Sequence, residues 1–99
     1  MLSIVWRSTA RDQLSEIVRD ISDENPVAAR RAKNVIESAV LPAAEYPYMY
    51  RASERVPGLR EVVARPTPYI VLYRVASDHI EVVAVVHGKR QWPLHSDSD

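Results

Sequence analysis

Residues 58–90 read GLREVVARPTPYIVLYRVASDHIEVVAVVHGKR, and this stretch decides the fold. Three segments, 59–65, 69–75 and 79–87, are rich in valine, isoleucine, leucine and tyrosine. Those side chains fit a pleated, half-buried surface. Arg65-Pro66-Thr67-Pro68 and Ala76-Ser77-Asp78-His79 stand between them. Neither connection is long enough for a parallel crossover, so the segments form an antiparallel meander. Setting Arg65 opposite Pro68 and Ala76 opposite His79 gives a register with two faces. One carries Arg60, Val62, Ala64, Tyr69, Val71, Tyr73, Val75, Ile80, Val82, Ala84 and Val86 and is expected to meet helices.

The other face carries Leu59, Glu61, Val63, Arg65, Ile70, Leu72, Arg74, Glu81, Val83, Val85 and His87. Six of these eleven are aliphatic, whereas a sheet face left to water is usually polar. An apolar strip fringed by charge marks a partner site. Leu59, Val63, Ile70, Leu72, Val83 and Val85 are therefore the expected contacts for a second polypeptide. It would lie across this face or along an adjacent sheet edge. A slip of one residue would exchange the faces.

Working outward, Leu2, Ile4 and Trp6 alternate with Ser3, Val5 and Arg7, which predicts a short strand over 2–6. Ser8 or Thr9 is placed to cap a helix whose apolar stripe is Ala10, Leu14, Ile17, Val18 and Ile21. Asn25-Pro26 then opens a second helix, reaching to about residue 44, with Pro42 kinking or ending it early. Its buried face is Ala29, Ala32, Ile36, Ala39, Val40 and Ala43, and the alanines let two helices approach closely in a hairpin. Residues 45–58 form an irregular linker whose three tyrosines are read as covering a core edge. The expected fold class is α+β: a strand, a helical hairpin, then a three-stranded antiparallel meander. One domain is expected over residues 1–99, with 94–99 as a frayed tail.

Composition narrows the function classes. The chain has no cysteine, which removes disulfide and thiolate–metal chemistry and fits a reducing cytoplasm. Its N-terminus has no apolar run long enough for a signal peptide or a membrane span. The formal net charge is zero, yet residues 50–95 hold seven basic and four acidic side chains. Most of the basic ones are arginines, suited to carboxylate or phosphate. The two glycines, Gly58 and Gly88, make no phosphate loop, and the three histidines show no metal-ligand spacing. No metal or cofactor is expected.

Candidate chemistry gathers at two places. Arg74 lies opposite Glu81, and a cross-strand ion pair is preferred over phosphate recognition. Arg65, Tyr69, His87, Lys89 and Arg90 meet at one sheet end and are candidates for an anion or target contact. His87 could exchange protons near neutral pH, with Arg90 and Arg65 steadying phosphorane charge. Arg60 begins its strand on the order of 15 Å from His87, at about 3.3 Å per residue, which is too far for one bond-breaking step.

Four strings in order resemble the RelE/ParE toxin superfamily. They are Trp6-x3-Ala10-x3-Leu14-x2-Ile17, Gly58-Leu59-Arg60-Glu61-Val62-Val63, Pro68-Tyr69-Ile70-Val71-Leu72-Tyr73-Arg74-Val75 and Val86-His87-Gly88-Lys89-Arg90. The resemblance covers about residues 4–93. It implies a type II toxin neutralised in a hetero-oligomer by an antitoxin encoded next to it, and a role in plasmid stabilisation and growth arrest. RelE-like members cleave mRNA on the ribosome without metal, and ParE-like members inhibit DNA gyrase by binding. Only Arg60 and Arg90 match the nuclease pattern. Val62 and about Ile70 stand where that group has basic residues, and its closing tyrosine has no counterpart, though His95 is near. The resemblance thus implies a ParE-like binding toxin. The alternatives are an mRNA endoribonuclease using Arg60, His87 and Arg90, or a degenerate toxin that keeps only antitoxin binding.

Overall fold

A computed structural model describes residues 1–89. The elements run β1 (Ser3–Trp6), α1 (Ser8–Ser22), α2 (Pro26–Ala39), a 3₁₀ turn (Leu41–Ala44), β2 (Arg60–Val63), β3 (Tyr69–Val75) and β4 (His79–His87). The fold is α+β, as the residue pattern predicts. Arg90, Trp92, His95 and the expected tail at 94–99 lie outside the described residues.

The sheet has four strands in the order β1-β4-β3-β2. β2, β3 and β4 form the expected meander, while β1 crosses over the helical hairpin and pairs parallel with β4. Leu2, Ile4 and Trp6 turn toward the helices and join a core of Ala10, Leu14, Ile36, Val40, Val71, Tyr73, Ile80 and Val82. In α2, Ala29, Ala32 and Ile36 are buried, and the small side chains bring α1 close. Asn25 caps α2 by accepting from Ala28 N at 3.1 Å, with Pro26 at the first helical position. The α-helix stops at Ala39 and tightens into the 3₁₀ turn around Pro42, whose ring nitrogen has no hydrogen to give.

The start of α1 corrects an expectation. Neither Ser8 nor Thr9 caps it; Arg7 stands at that position with no side-chain cap. The reason is that Arg7 N still donates to Val82 O at 3.0 Å while Arg7 O already accepts from Arg11 N at 3.0 Å. The chain passes from sheet to helix with no loop residue left to cap.

A second correction concerns the faces. The expected register holds from Val75↔Ile80 to Tyr73↔Val82, and then shifts by one, to Leu72↔Ala84 and on to Tyr69↔His87. Val83 is the extra residue of a β-bulge, which reverses the facing of everything after it. Val85 therefore turns inward to the main core, and Ala84 and Val86 turn outward. Beyond the end of β1, the open edge of β4 is closed by α1: Gln13 Oε1 accepts from Val85 N at 2.8 Å.

Candidate functional site

The outer face of the sheet is not bare. Ile70, Leu72 and Val86 are buried there beneath Val56 and Leu59, which belong to a strap over residues 51–59. The strap runs along the edge of β2, with Ser53 N donating to Leu59 O at 2.7 Å and Glu61 N donating to Arg51 O at 3.2 Å. Of the six expected partner contacts, Val63 is exposed and Leu59 and Val83 are half-buried. Ile70 and Leu72 are sealed by the strap, and Val85 faces the helices. The helices do leave this face uncovered, as expected, but the supposed linker covers part of it.

What fastens the strap is a buried carboxylate. Glu61 is 5% exposed and accepts from Ser53 Oγ at 2.8 Å and from Arg51 Nη2 at 3.3 Å. Arg55 Nε lies 3.4 Å from the second carboxylate oxygen, out of line for a hydrogen bond, and Arg55 Nη1 donates to Gly88 O at 3.3 Å. Ser53 Oγ also accepts from the backbone N–H groups of Arg55 and Val56, which sets the strap's turn. Sequence reasoning placed Glu61 on the outer face but missed its clamp. The available signal was a lone acid on the outer face, flanked there by the aliphatic Leu59 and Val63.

Arg74 meets Glu81 at 3.0 Å, the expected ion pair. Arg7 adds a second arginine, with Nε 3.0 Å from Oε2 and Nη2 3.2 Å from Oε1. The hydrogen bonds from Arg7 and then Arg74 hold the Glu81 carboxyl below the usual carboxylate range. Asp78 is lowered likewise by the hydrogen bond with His79, at 2.8 Å. Because Glu81 is depressed in the folded chain, its contribution is whole above the unfolded value of about 4.3 and fades as pH falls through the folded value. Glu81→Gln is therefore expected to lower the melting temperature at pH 7 by a few degrees at most, since Arg7 and Arg74 are half in water. Thermal unfolding of both proteins from pH 7 downward checks this. The gap should close in acid, and a gap constant with pH would contradict the assignment.

Arg60 and His87, the nuclease candidates among the described residues, lie apart. Arg60 pairs with Tyr73, and Tyr73 with Val82, so Arg60 is level with a position five residues along β4 from His87. Arg60 is engaged locally, donating to Tyr50 O at 2.7 Å with its guanidinium carbon 4.8 Å from the Tyr48 ring centroid. His87 stands edge-on to Tyr69 at 5.3 Å, and its Nδ1 accepts from Lys89 N at 3.0 Å. Arg65 and Lys89 are exposed. Tyr73 is fully buried, its hydroxyl donates to Pro47 O at 2.8 Å, and burial pushes its pKa up to about 12. It is a structural group rather than an acid for chemistry. No cluster of three or more metal-ligating side chains occurs among the described residues.

The sequence profile of the ParE toxin of the type II toxin–antitoxin system parDE matches residues 4–92. The chain belongs to the ParE toxin family. The chain is 39% identical over 90 residues to a Sinorhizobium fredii (strain NBRC 101917 / NGR234) protein described as toxin Y4kP, covering 91% of this chain and 92% of that one. It is 33% identical over 90 residues to Toxin RelE2 of Caulobacter vibrioides (strain ATCC 19089 / CIP 103742 / CB 15), covering 91% of this chain and 99% of that one. A solved structure titled Chromosomal ParDE TA system from P. aeruginosa superposes with a TM-score of 0.78 at 26% identity, covering 88% of this chain and 96% of that chain. ParE membership implies a cognate antitoxin. Among the described residues, no helix is long and apolar enough to cross a membrane.

Proposed function

We propose that this ParE-family chain arrests growth in the cytoplasm by binding DNA gyrase, and that a cognate antitoxin holds it inactive in a hetero-oligomer. Residues 1–99 act as one toxin domain in this reading. The observation that carries it is the separation of Arg60 from His87. A metal-independent nuclease must bring its proton-transfer group and its charge-stabilising groups to one phosphate. Here Arg60 is anchored to Tyr50 O beside the Tyr48 ring, while His87 sits at the far end of the sheet.

The antitoxin's contacts on the outer face reduce to Leu59, Val63 and Val83. It reaches Ile70 and Leu72 only by displacing the strap, and Val85 drops out. Arg65, Tyr69 and Lys89 offer an anion contact at the His87 end. The test is supercoiling by purified gyrase with free toxin, alongside RNA integrity in arrested cells. Inhibited supercoiling with intact RNA is the expected result. Undisturbed supercoiling rejects the gyrase reading, and cut RNA would support nuclease action instead.

A further inference from the structure

Two of the three linker tyrosines do not behave as a cover. Tyr50 does, packing edge-on against Tyr73 at 6.4 Å with its hydroxyl donating to Ala39 O at 3.4 Å. Tyr46, Tyr48 and Met49 are instead 59%, 66% and 56% exposed. Three large side chains on a four-residue tip are in water, yet their backbone is held from several sides. Tyr46 N donates to Pro42 O at 2.9 Å, Met49 N to Tyr46 O at 3.1 Å, and Tyr73 Oη from the core to Pro47 O at 2.8 Å. Arg60 fastens the far side through Tyr50 O.

A loop built this way loses little freedom on binding, and tyrosine and methionine are enriched at interface centres. Its electrostatics select the partner. Arg60 forms no ion pair with a carboxylate among the described residues, although Arg51 and Arg55 of the adjoining strap do. The guanidinium lies against one face of Tyr48, which leaves a cation beside an exposed aromatic ring. That pairing fits a carboxylate presented next to an apolar recess. Phosphate and bases would fit an aromatic–cation pair too, but a chain with no net positive charge lacks the long-range attraction that nucleic-acid binding draws on.

We propose that the Tyr46–Met49 loop, with Arg60 beside it, is the toxin's contact for its protein target. The target surface it fits is acidic and carries an apolar recess. The proposal rests on the reading that this toxin acts by binding, and it sets the target contact at the opposite sheet end from His87 and Lys89.

The test compares Tyr48→Ala, Met49→Asp and Met49→Lys with the unaltered protein. Readouts are inhibition of purified gyrase, growth arrest on induction, and affinity for the antitoxin. The Met49 side chain is more than half exposed and outside the core, so its variants keep the fold. We expect Tyr48→Ala and Met49→Asp to need about tenfold more toxin for half inhibition, with antitoxin affinity retained. Met49→Lys should be hurt less than Met49→Asp, because the partner is acidic. Unchanged inhibition in all three overturns the proposal, and so does a parallel loss of antitoxin affinity. Equal damage from aspartate and lysine overturns the acidic partner. If the unaltered toxin arrests growth but leaves gyrase untouched, the gyrase reading fails and the same comparison on growth arrest decides the loop. A toxin inert in both assays defeats both.

Discussion

Tyr73→Ala is expected to lower the unfolding free energy by about 4 kcal/mol, in the range for truncating a buried aromatic ring. Tyr73 is the largest fully buried side chain among the described residues and sits where three parts of the chain converge. Its ring packs in the main core and meets Tyr50 edge-on, and its hydroxyl holds the linker at Pro47 O. Truncation opens a cavity and strips the Pro47 carbonyl of its donor. Small domains are held by roughly 5–15 kcal/mol, and each kcal/mol moves the melting temperature by roughly 4–8 °C at this size. The alanine variant should therefore be close to unfolded at 37 °C. Tyr73→Phe keeps the packing and loses one hydrogen bond, which costs about 1 kcal/mol. Denaturant titration of the three proteins checks the ordering. A phenylalanine variant as damaged as alanine would mean that the hydroxyl, and not the ring, carries the stability.

Glu61→Ala is the second large effect, at about 2–3 kcal/mol. Removing one partner of a fully buried ion pair costs roughly 3–5 kcal/mol, because the other charge is stranded. Here the cost is lower: the Arg51 side chain is 65% exposed and returns to water, and Arg55 is 24% exposed. The loss should also be local. Amide exchange in the strap, residues 51–59, should speed up more than exchange in β3, since the strap opens without the sheet unfolding. Glu61→Gln should be milder, because it keeps an oxygen for Ser53 Oγ. Uniform acceleration across all strands would show that Glu61 supports the sheet rather than the strap.

Much of the architecture was legible in the chain because it depends on local chemistry. The lengths of the two turns set the hairpin pairing, and Arg74 duly meets Glu81. Asn25-Pro26 starts α2 because the side chain and ring act on their own backbone neighbourhood. The bulge was not legible. Val82, Val83, Ala84, Val85 and Val86 are all aliphatic, so their order carries no alternation to reveal a change of facing. The Glu61 clamp was hidden for another reason. Its partners Arg51, Ser53 and Arg55 lie in a segment with no periodicity, where an arginine looks solvated until something is folded beneath it. The same segment covers Ile70 and Leu72, which the pattern alone left open to a partner.

By itself, then, the sequence determined a strand, a helical hairpin and an antiparallel meander, through periodicity, capping and turn length, all of which act over a few residues. Tertiary structure alone decided three further things: that β1 lies parallel against β4, that the bulge at Val83 turns Val85 inward, and that residues 51–59 close over the outer face. Each depends on contacts between residues far apart along the chain or on the parity of a uniform strand. No local preference encodes these, because the free energy that selects them appears only when the surfaces meet.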